Sequence, residues 1–170
     1  MIIMGLIYYY CDNGGGKTTS ALGVALRALG QGKEVAIIQF LKWYQTGEVK
    51  FSHPLYHIHQ FSPEGWKSRG ELKKEDSVFI ELGLRLAETY LKRSIPIDVL
   101  ILDEISLAIK EKLIHPTDVL RILKMVPKET TVILTGREEI KELVELADIV
   151  NRIVEVKVPS NMPLDEGIQY

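Results

Sequence analysis

The sequence has 170 residues, a usual length for one domain, and 46% of them are hydrophobic and 26% charged, which excludes an intrinsically disordered chain. The net charge of -2 lacks the basic excess of nucleic-acid-binding proteins, and no apolar run has the length of a membrane span, so neither nucleic acid nor a membrane is expected as a partner. A single cysteine excludes an internal disulfide and fits a cytoplasmic protein.

A glycine-rich loop at residues 11–19, with the sequence CDNGGGKTT, is the first chemical signal along the chain. An apolar run at 6–10 predicts a strand before it, and an apolar run at 20–29 predicts a buried helix after it. Glycines allow several backbone N–H groups of such a loop to point at an anion, and the helix N-terminus adds positive potential. In a P-loop that ends in Gly-Lys-Thr, the lysine contacts phosphate and the hydroxyl contacts Mg²⁺, which predicts these roles for Lys17 and Thr18.

The loop departs from the standard pattern G-x-x-x-x-G-K-[ST], because Cys11 stands at the position of the first glycine. A flexible turn that only connects a strand to a helix is the alternative interpretation. Three consecutive glycines cost chain entropy that a simple connection would not require, so a phosphate site is favoured.

A second strand is predicted at 34–40, where an unbroken apolar run is typical of a central strand in a parallel sheet. Gln39, Phe40 and Lys42 follow at its carboxyl end, where open parallel sheets bind their ligands. The next segment, 42–69, is rich in aromatic residues, proline and glycine. It is predicted to be mostly loop, and its aromatic side chains either close the edge of the core or form an apolar wall for a flat ligand.

A short strand is predicted at 56–61, and three histidines lie in or near it, at His53, His57 and His59. No nearby cysteine or carboxylate completes a metal-ligand set, so a metal pair is not favoured. Residues two apart share one face of a strand, and His57 and His59 are therefore predicted to face solvent together on an edge strand.

A strong apolar strand is predicted at 97–104, and it ends in Asp103 and Glu104. An acidic residue after a buried strand is the expected partner of a P-loop on the Mg²⁺ side. Because the strand is ending, both carboxylates are predicted to reach the site. The alternative is an acidic strand end without a function of its own.

The rest of the chain alternates between helical and strand patterns. Helices are predicted at 73–92, 116–125 and 138–147, and strands at 130–134 and 153–158. The buried face of the first helix is predicted to carry Phe79, Leu82, Leu86 and Tyr90. Arg137 follows a strand on the ligand side, either as a phosphate contact or as an ordinary residue at a helix start. This alternation predicts an α/β fold with one domain over residues 1–170, a parallel sheet flanked by helices, of the P-loop NTPase (RecA-like) type.

A P-loop alone does not define a reaction. A P-loop ATPase would use Glu104 to orient water, whereas a small-molecule kinase would need an acceptor pocket and additional arginines. An ATP-dependent binding module without turnover also fits the predicted elements.

Over nearly its whole length the chain resembles the P-loop corrinoid adenosyltransferase family, and the matching motifs occur in the family's order. They are residues 13–19 with Ala21 and Gly23, Arg27-Ala28 with Gly30, Gly32 and Lys33, Gln39-Phe40-Leu41-Lys42, Gly47-Glu48, Leu102-Asp103-Glu104, Thr135-Gly136-Arg137, Leu146-Ala147-Asp148, Gly167-Ile168 and Tyr170. The resemblance implies transfer of the 5′-deoxyadenosyl group of ATP to the Co(I) of a reduced corrinoid, with release of triphosphate, in adenosylcobalamin biosynthesis or salvage.

The same resemblance implies roles for particular residues. Lys17, Thr18 and Glu104 would be catalytic, and Thr18, Asp103 and Glu104 would bind Mg²⁺ or Mn²⁺. The residues expected to contact ATP are Asn13, Gly14, Gly15, Gly16, Lys17, Thr18, Thr19, Arg27 and Arg137. The cobalamin-type corrinoid would lie against Phe40, Trp43 and Trp66. Taken alone, Arg27 would be an ordinary surface residue, and only the resemblance makes it an ATP contact.

Two residues depart from the family pattern, which usually has glycine where Asp12 stands and lysine where Gly15 stands. Both departures predict weaker triphosphate binding, unless the Asp12 side chain points away from the loop or approaches the metal. For partners, the resemblance implies an electron-donating flavoprotein and is compatible with a homodimer and a cytoplasmic location.

Overall fold

The computed structural model describes residues 5–63, 72–161 and 167–168, and its centre is a parallel sheet. The strands are β1 (Ile7–Cys11), β2 (Val35–Phe40), β3 (Tyr56–Phe61), β4 (Val99–Asp103), β5 (Thr131–Thr135) and β6 (Ile149–Arg152). The helices are α1 (Lys17–Gly30), α2 (Gly47–Lys50), α3 (Ser77–Leu91), α4 (Ile105–Lys110), α5 (Pro116–Leu123) and α6 (Lys141–Leu146). The six strands are ordered β3-β2-β4-β5-β1-β6, and every neighbouring pair is parallel.

Helices cover both faces of the sheet, which confirms the predicted α/β class. On one face, Ala21 and Ala25 of α1 pack against the isoleucines of β2, β4 and β5. On the other face, α3, α4 and α5 bury their apolar residues against Ile38, Leu100 and Leu102. The central strands are buried on both sides, as a parallel sheet requires, so their sequences read as continuous apolar runs.

The carboxyl ends of the strands meet at one edge of the sheet, and this edge positions the site. Cys11 ends β1 and leads into the glycine-rich loop, while Asp103 ends β4 and Thr135 ends β5. Because all strands are parallel, the loops that follow them lie side by side.

The prediction of an outer strand at 153–158 is wrong, because the outer strand is β6, at Ile149–Arg152. β6 pairs with β1 from Tyr8 to Cys11, and β1 has no further residues that could extend the ladder. The following segment therefore leaves the sheet, and its alternating valines lie in solvent, with Val156 exposed by 95%. It crosses the glycine-rich loop instead, where the Gly14 N–H donates to the carbonyl of Ile153 at 2.8 Å.

The buried face of α3 also differs from the prediction. Leu82 is 48% exposed, and the buried stripe consists of Ile80, Gly83, Leu84, Ala87 and Leu91. Gly83 allows the helix to approach the sheet, because a β-carbon there would lie only 2.5 Å from Cε1 of Phe40. The face of α3 that packs against the sheet is therefore the face that carries Gly83, where there is no room for a β-carbon, and not the face with the largest apolar side chains.

The histidines of β3 correct another expectation. β3 is an edge strand and His57 and His59 share one face, but that face packs against α3 and does not simply face solvent. His57 Nε2 lies 2.9 Å from Glu34 Oε1, and His59 Nε2 lies 3.0 Å from the Tyr90 hydroxyl. Within the described ranges, no helix combines the length and the hydropathy needed to cross a membrane.

Candidate nucleotide and metal site

A pocket of about 490 Å³ opens at the carboxyl edge of the sheet, a volume suited to a small-molecule ligand. It is lined by residues of the glycine-rich loop and the start of α1, of the β2–α2 connection and the start of α2, of the loops after β4 and β5, and of the C-terminal segment, which is the chain after β6. These are Asn13, Gly14, Gly15, Gly16, Lys17, Thr18, Thr19, Leu22, Lys42, Tyr44, Thr46, Gly47, Glu48, Glu104, Arg137, Glu155, Gly167 and Ile168. Most of the predicted phosphate and metal residues therefore lie on one cavity.

The glycines of the loop have separate structural roles. Gly16 precedes α1 with φ +102°, a left-handed conformation that glycine adopts without strain. Gly14 is buried beneath the C-terminal segment, and a β-carbon there would lie 2.3 Å from the Ile153 carbonyl oxygen. The Gly14 N–H is therefore already engaged, and the N–H of Gly15 donates to Glu155 Oε1 at 2.9 Å.

Lys17 is the first residue of α1, and its side chain is buried at the base of the loop. Its ammonium donates to the Gly14 carbonyl at 2.5 Å and so closes the loop on itself. Burial lowers the pKa of Lys17. A cation held at the N-terminus of a helix of 14 residues provides an anion-binding position in the pocket.

Asp12, which departs from the family pattern, does not enter the pocket. Its φ is +82°, and its Oδ1 accepts the neighbouring Asn13 N–H at 2.7 Å. Asp12 is not among the lining residues, so its carboxylate caps the backbone of the turn and leaves the cavity open.

Asp103 is fully buried, and both of its carboxylate oxygens accept hydrogen bonds. Oδ1 accepts from the hydroxyls of Thr18, at 2.8 Å, and Thr135, at 2.6 Å. Oδ2 accepts from Gln39 Nε2 at 3.2 Å and from the Lys42 ammonium at 2.7 Å. Asp103 thus connects Thr18, in the glycine-rich loop, to residues at the ends of β2 and β5.

Glu104 presents a carboxylate with free coordination capacity. The residue has φ +62°, and its N–H donates to the Thr135 hydroxyl at 2.9 Å, which turns the side chain away from the strand direction. Its Oε2 is buried and, among the described residues, has no hydrogen-bond partner. Burial, and secondarily the charge of Asp103, raise the pKa of Glu104. An orphaned carboxylate oxygen and the Thr18 hydroxyl are oxygen donors of the kind that Mg²⁺ prefers, so these residues fit the implied metal.

The two predicted ATP-contacting arginines are placed differently. Arg137 is exposed and lines the pocket beside Lys17 and Glu104. Arg27 is exposed in the last turn of α1 and does not line the pocket. The structure therefore brings only Arg137 to the phosphate loop.

The three residues predicted to contact the corrinoid are also placed differently from one another. Trp43 is 46% exposed, next to the pocket residues Lys42 and Tyr44, and its ring meets the Tyr44 ring edge-on at 6.2 Å between centroids. Phe40 is fully buried in the core against α3, and so is not available at the surface. Trp66 lies outside the described residues.

The sequence assigns no role to several residues at the site. Lys42 and Gln39 stand out by their position after a strand and by their place in a motif shared with the family, but neither signal indicates their contact with Asp103. Thr46 is buried with an unpartnered Oγ1 among the described residues, and Glu155 enters from a segment predicted to be a strand.

Comparisons with known proteins identify the family of the chain. A model of the family described as "ATP:corrinoid adenosyltransferase BtuR/CobO/CobP" matches residues 4–170. A corrinoid adenosyltransferase of Escherichia coli is 32% identical over 169 residues, which cover 98% of this chain and 86% of the relative. Corrinoid adenosyltransferase CobA of Salmonella typhimurium is 30% identical with the same coverage, and a corrinoid adenosyltransferase of Pseudomonas aeruginosa is 30% identical over 98% of this chain and 84% of its own length. The chain therefore belongs to the ATP:corrinoid adenosyltransferase family.

Proposed function

We propose that this protein transfers the 5′-deoxyadenosyl group of ATP to the Co(I) centre of a reduced corrinoid and releases triphosphate. Membership of the family supports both substrates. The observation that carries the proposal is the pocket in which Lys17, Thr18 and Glu104 converge, with the exposed indole of Trp43 at its side. Lys17, Thr18 and Glu104 together suit a polyphosphate with its metal ion, and the indole of Trp43 suits a broad, flat ring system.

The reaction is a nucleophilic displacement at the ribose C5′ of ATP. A cobalt–carbon bond forms from the electron pair of the substrate's Co(I), the C5′–O bond breaks, and its electrons leave with triphosphate. Because Co(I) carries no proton, the protein needs no general base. It accelerates the reaction by aligning C5′ with cobalt and by stabilising negative charge on the leaving triphosphate.

Positive groups in the pocket would stabilise the leaving triphosphate. Lys17 lies at the base of the loop, and Arg137 lies at its rim. Thr18 and Glu104 would hold Mg²⁺ or Mn²⁺, which would add further charge neutralisation at the triphosphate. Asp103 would act through Thr18, whose hydroxyl it orients by the 2.8 Å hydrogen bond.

The assay that tests the proposal supplies ATP, Mg²⁺ and cobalamin chemically reduced to Co(I). Adenosylcobalamin and triphosphate are expected in equal amounts.

Lys17→Ala should lower kcat/KM by about a hundredfold or more, because one buried cation at a developing charge contributes about 3 kcal/mol. Lys124→Ala removes an exposed lysine that does not line the pocket and should retain wild-type kinetics.

The same assay separates the alternatives. Release of only ADP and phosphate, with no cobalt-linked product, would support an ATPase or a kinase and reject the adenosyltransferase. Tight ATP binding without any turnover would support a binding module.

Trp43 is proposed to contact the corrinoid, and a Trp43→Ala variant separates this role from ATP binding. Loss of a large exposed ring should raise the KM for cobalamin while the KM for ATP stays within about twofold. Phe51→Ala is the matched control, because Phe51 is similarly exposed but its ring packs against Tyr56, whereas the Trp43 ring packs against the pocket residue Tyr44.

The source of the electron and the assembly state are also parts of the proposal. An electron-donating flavoprotein would supply Co(I), which predicts that such a protein can replace the chemical reductant in the assay. A cytoplasmic, reducing setting fits both Co(I) and the free thiol of Cys11. A homodimer would be detected by light scattering of the purified protein.

A further inference from the structure

The ammonium of Lys42 contacts both the Thr18 hydroxyl, which lines the pocket, and the buried Asp103 carboxylate. It donates to Asp103 Oδ2 at 2.7 Å and to Thr18 Oγ1 at 3.3 Å, and it lies 3.9 Å from Glu48 Oε1. The Lys42 side chain is only 13% exposed, and Asp103 is fully buried. This is a buried ion pair built into the site, rather than a surface contact.

We propose that Lys42 is the resident cation of the ligand-free metal site and becomes a phosphate-binding and positioning residue when the nucleotide arrives. In the ligand-free protein it keeps divalent cations out, so that the metal enters together with the polyphosphate. The inference rests on the proposed function, because it assumes that the pocket receives ATP and a divalent metal.

The first step of the inference concerns the Thr18 hydroxyl. This hydroxyl uses its proton to bond Asp103 Oδ1, and it receives a hydrogen bond from Lys42 on a lone pair. A divalent cation bound to Thr18 would use the second lone pair of the same oxygen and would therefore lie close to the Lys42 ammonium, whose positive charge repels it. The ammonium also neutralises Asp103, which weakens the attraction of the site for a second cation.

The second step concerns where the Lys42 ammonium goes when the metal is bound. Lys42 lines the same cavity as Lys17 and Arg137, so a polyphosphate in this cavity lies within reach of all three cations. A polyphosphate is a stronger partner for an ammonium than one carboxylate, since it presents several charged oxygens. The arrival of a polyphosphate therefore provides Lys42 with a new partner and removes a positive charge from beside the Thr18 oxygen.

The third step concerns the backbone that carries Lys42. Leu41 has φ +58°, and residues 41–46 form neither helix nor strand between β2 and α2. The backbone of this segment is held to β3 by the Leu41 N–H, which donates to the Phe61 carbonyl at 2.9 Å, and by the Tyr44 carbonyl, which accepts from Gln60 Nε2 at 3.1 Å. A long, flexible lysine side chain on such a connection can change partners without moving the sheet.

The test measures two binding reactions that involve neither corrinoid nor turnover. Mn²⁺ alone is titrated into nucleotide-free protein and followed by electron paramagnetic resonance. Inorganic tripolyphosphate is titrated in the presence of a chelator and followed by calorimetry. For Lys42→Gln we expect about threefold to tenfold tighter Mn²⁺ binding and about tenfold weaker tripolyphosphate binding, since a charge-assisted bond corresponds to about tenfold or more in affinity.

Matched variants keep the test specific. Lys124→Gln removes the same charge from an exposed position away from the pocket and should change neither titration. Lys42→Arg retains the charge and should restore most of the tripolyphosphate affinity. If Lys42→Gln does not fold, as judged by circular dichroism, Lys42→Met, which keeps the length of the side chain, replaces it.

The opposite signs of the two effects decide the outcome. Unchanged or weaker Mn²⁺ binding in Lys42→Gln would overturn the resident-cation role, and unchanged tripolyphosphate binding would overturn the phosphate role. These results are independent of the cobalamin assay. A protein that fails to form adenosylcobalamin but shows both opposite shifts would reject the proposed function and retain this inference.

Discussion

At the scale of single residues, Glu155 gives this pocket an unusual negative charge. Its Oε1 accepts the Gly15 N–H at 2.9 Å, and the residue lines the cavity that a polyphosphate would enter. An anion at this position both occupies a loop N–H group and repels phosphate. We therefore predict that a polyphosphate bound in this cavity displaces the Glu155 side chain.

Glu155→Gln should raise the affinity for ATP by about threefold to tenfold, because it removes the charge and keeps a similar shape. Fluorescence or calorimetric titration with Mg²⁺-ATP measures the effect. Glu129→Gln, a change at an exposed position outside the pocket, is the control and should leave the affinity unchanged. An equal affinity of wild type and Glu155→Gln would show that this carboxylate does not compete with phosphate.

At the scale of secondary-structure elements, two of the helices that flank the sheet, α1 and α3, provide a matched pair of glycines. Gly83 in α3 lies against Phe40, Phe61 and Ile38, whereas nothing lies within 4 Å of the β-carbon position of Gly23 in α1. Alanine is the better helix former at both positions by about 1 kcal/mol. Whether alanine raises or lowers the free energy of unfolding at each position is then decided by the space around the added methyl group.

Gly83→Ala should lower the free energy of unfolding by about 1–3 kcal/mol, because the added methyl group must displace packed rings. Gly23→Ala should raise it by about 0.5–1 kcal/mol. Urea unfolding followed by circular dichroism measures both variants. A stabilising Gly83→Ala would mean that α3 can move away from the sheet without loss.

The contact between β3 and α3 predicts a pH dependence of stability. Burial, with a smaller effect of His57, lowers the pKa of His59 below its usual value of about 6.5. The Tyr90 hydroxyl contacts His59. Glu34 contacts the neighbouring His57 and also accepts a hydrogen bond from Arg93. Because the folded state binds the proton less tightly than the unfolded chain, the stabilising contribution is present above pH 6.5 and is lost as the pH falls through the lowered pKa.

This dependence is measured by urea unfolding at pH 7.5 and pH 5.5. His59→Gln keeps a polar side chain but cannot titrate, so its free energy of unfolding should fall less between these two values than that of the wild type. The same decrease in both proteins would assign the effect to other groups.

At the scale of the whole molecule, the fold and the placement of four proposed site residues follow from local patterns. Continuous apolar runs identify the central strands, and Lys17, Thr18, Asp103 and Glu104 lie on strand or helix ends that any parallel sheet brings to one edge. The remaining contacts depend on the path of the chain in three dimensions.

The segment 153–158 illustrates this limit. Its alternating valines are a correct local signal for an extended chain, but a strand also needs a neighbour, and β1 ends at Cys11. The segment therefore passes over Gly14 and carries Glu155 into the pocket. In the same way, Lys42 reaches Asp103 only because β2 and β4 are neighbours in the sheet.

Because the pocket joins the glycine-rich loop, the β2–α2 connection, Glu104 and the C-terminal segment, its occupation should stabilise the whole molecule. A ligand that binds only the folded state at 100 times its Kd adds about 2.7 kcal/mol, which for a chain of this size corresponds to a Tm increase of about 5–10 °C. Mg²⁺-ATP should produce this shift in differential scanning calorimetry. Lys17→Ala should abolish most of it, because it removes the cation that closes the loop, whereas Lys124→Ala should retain it in full. An equal shift in all three proteins would place the nucleotide outside this pocket.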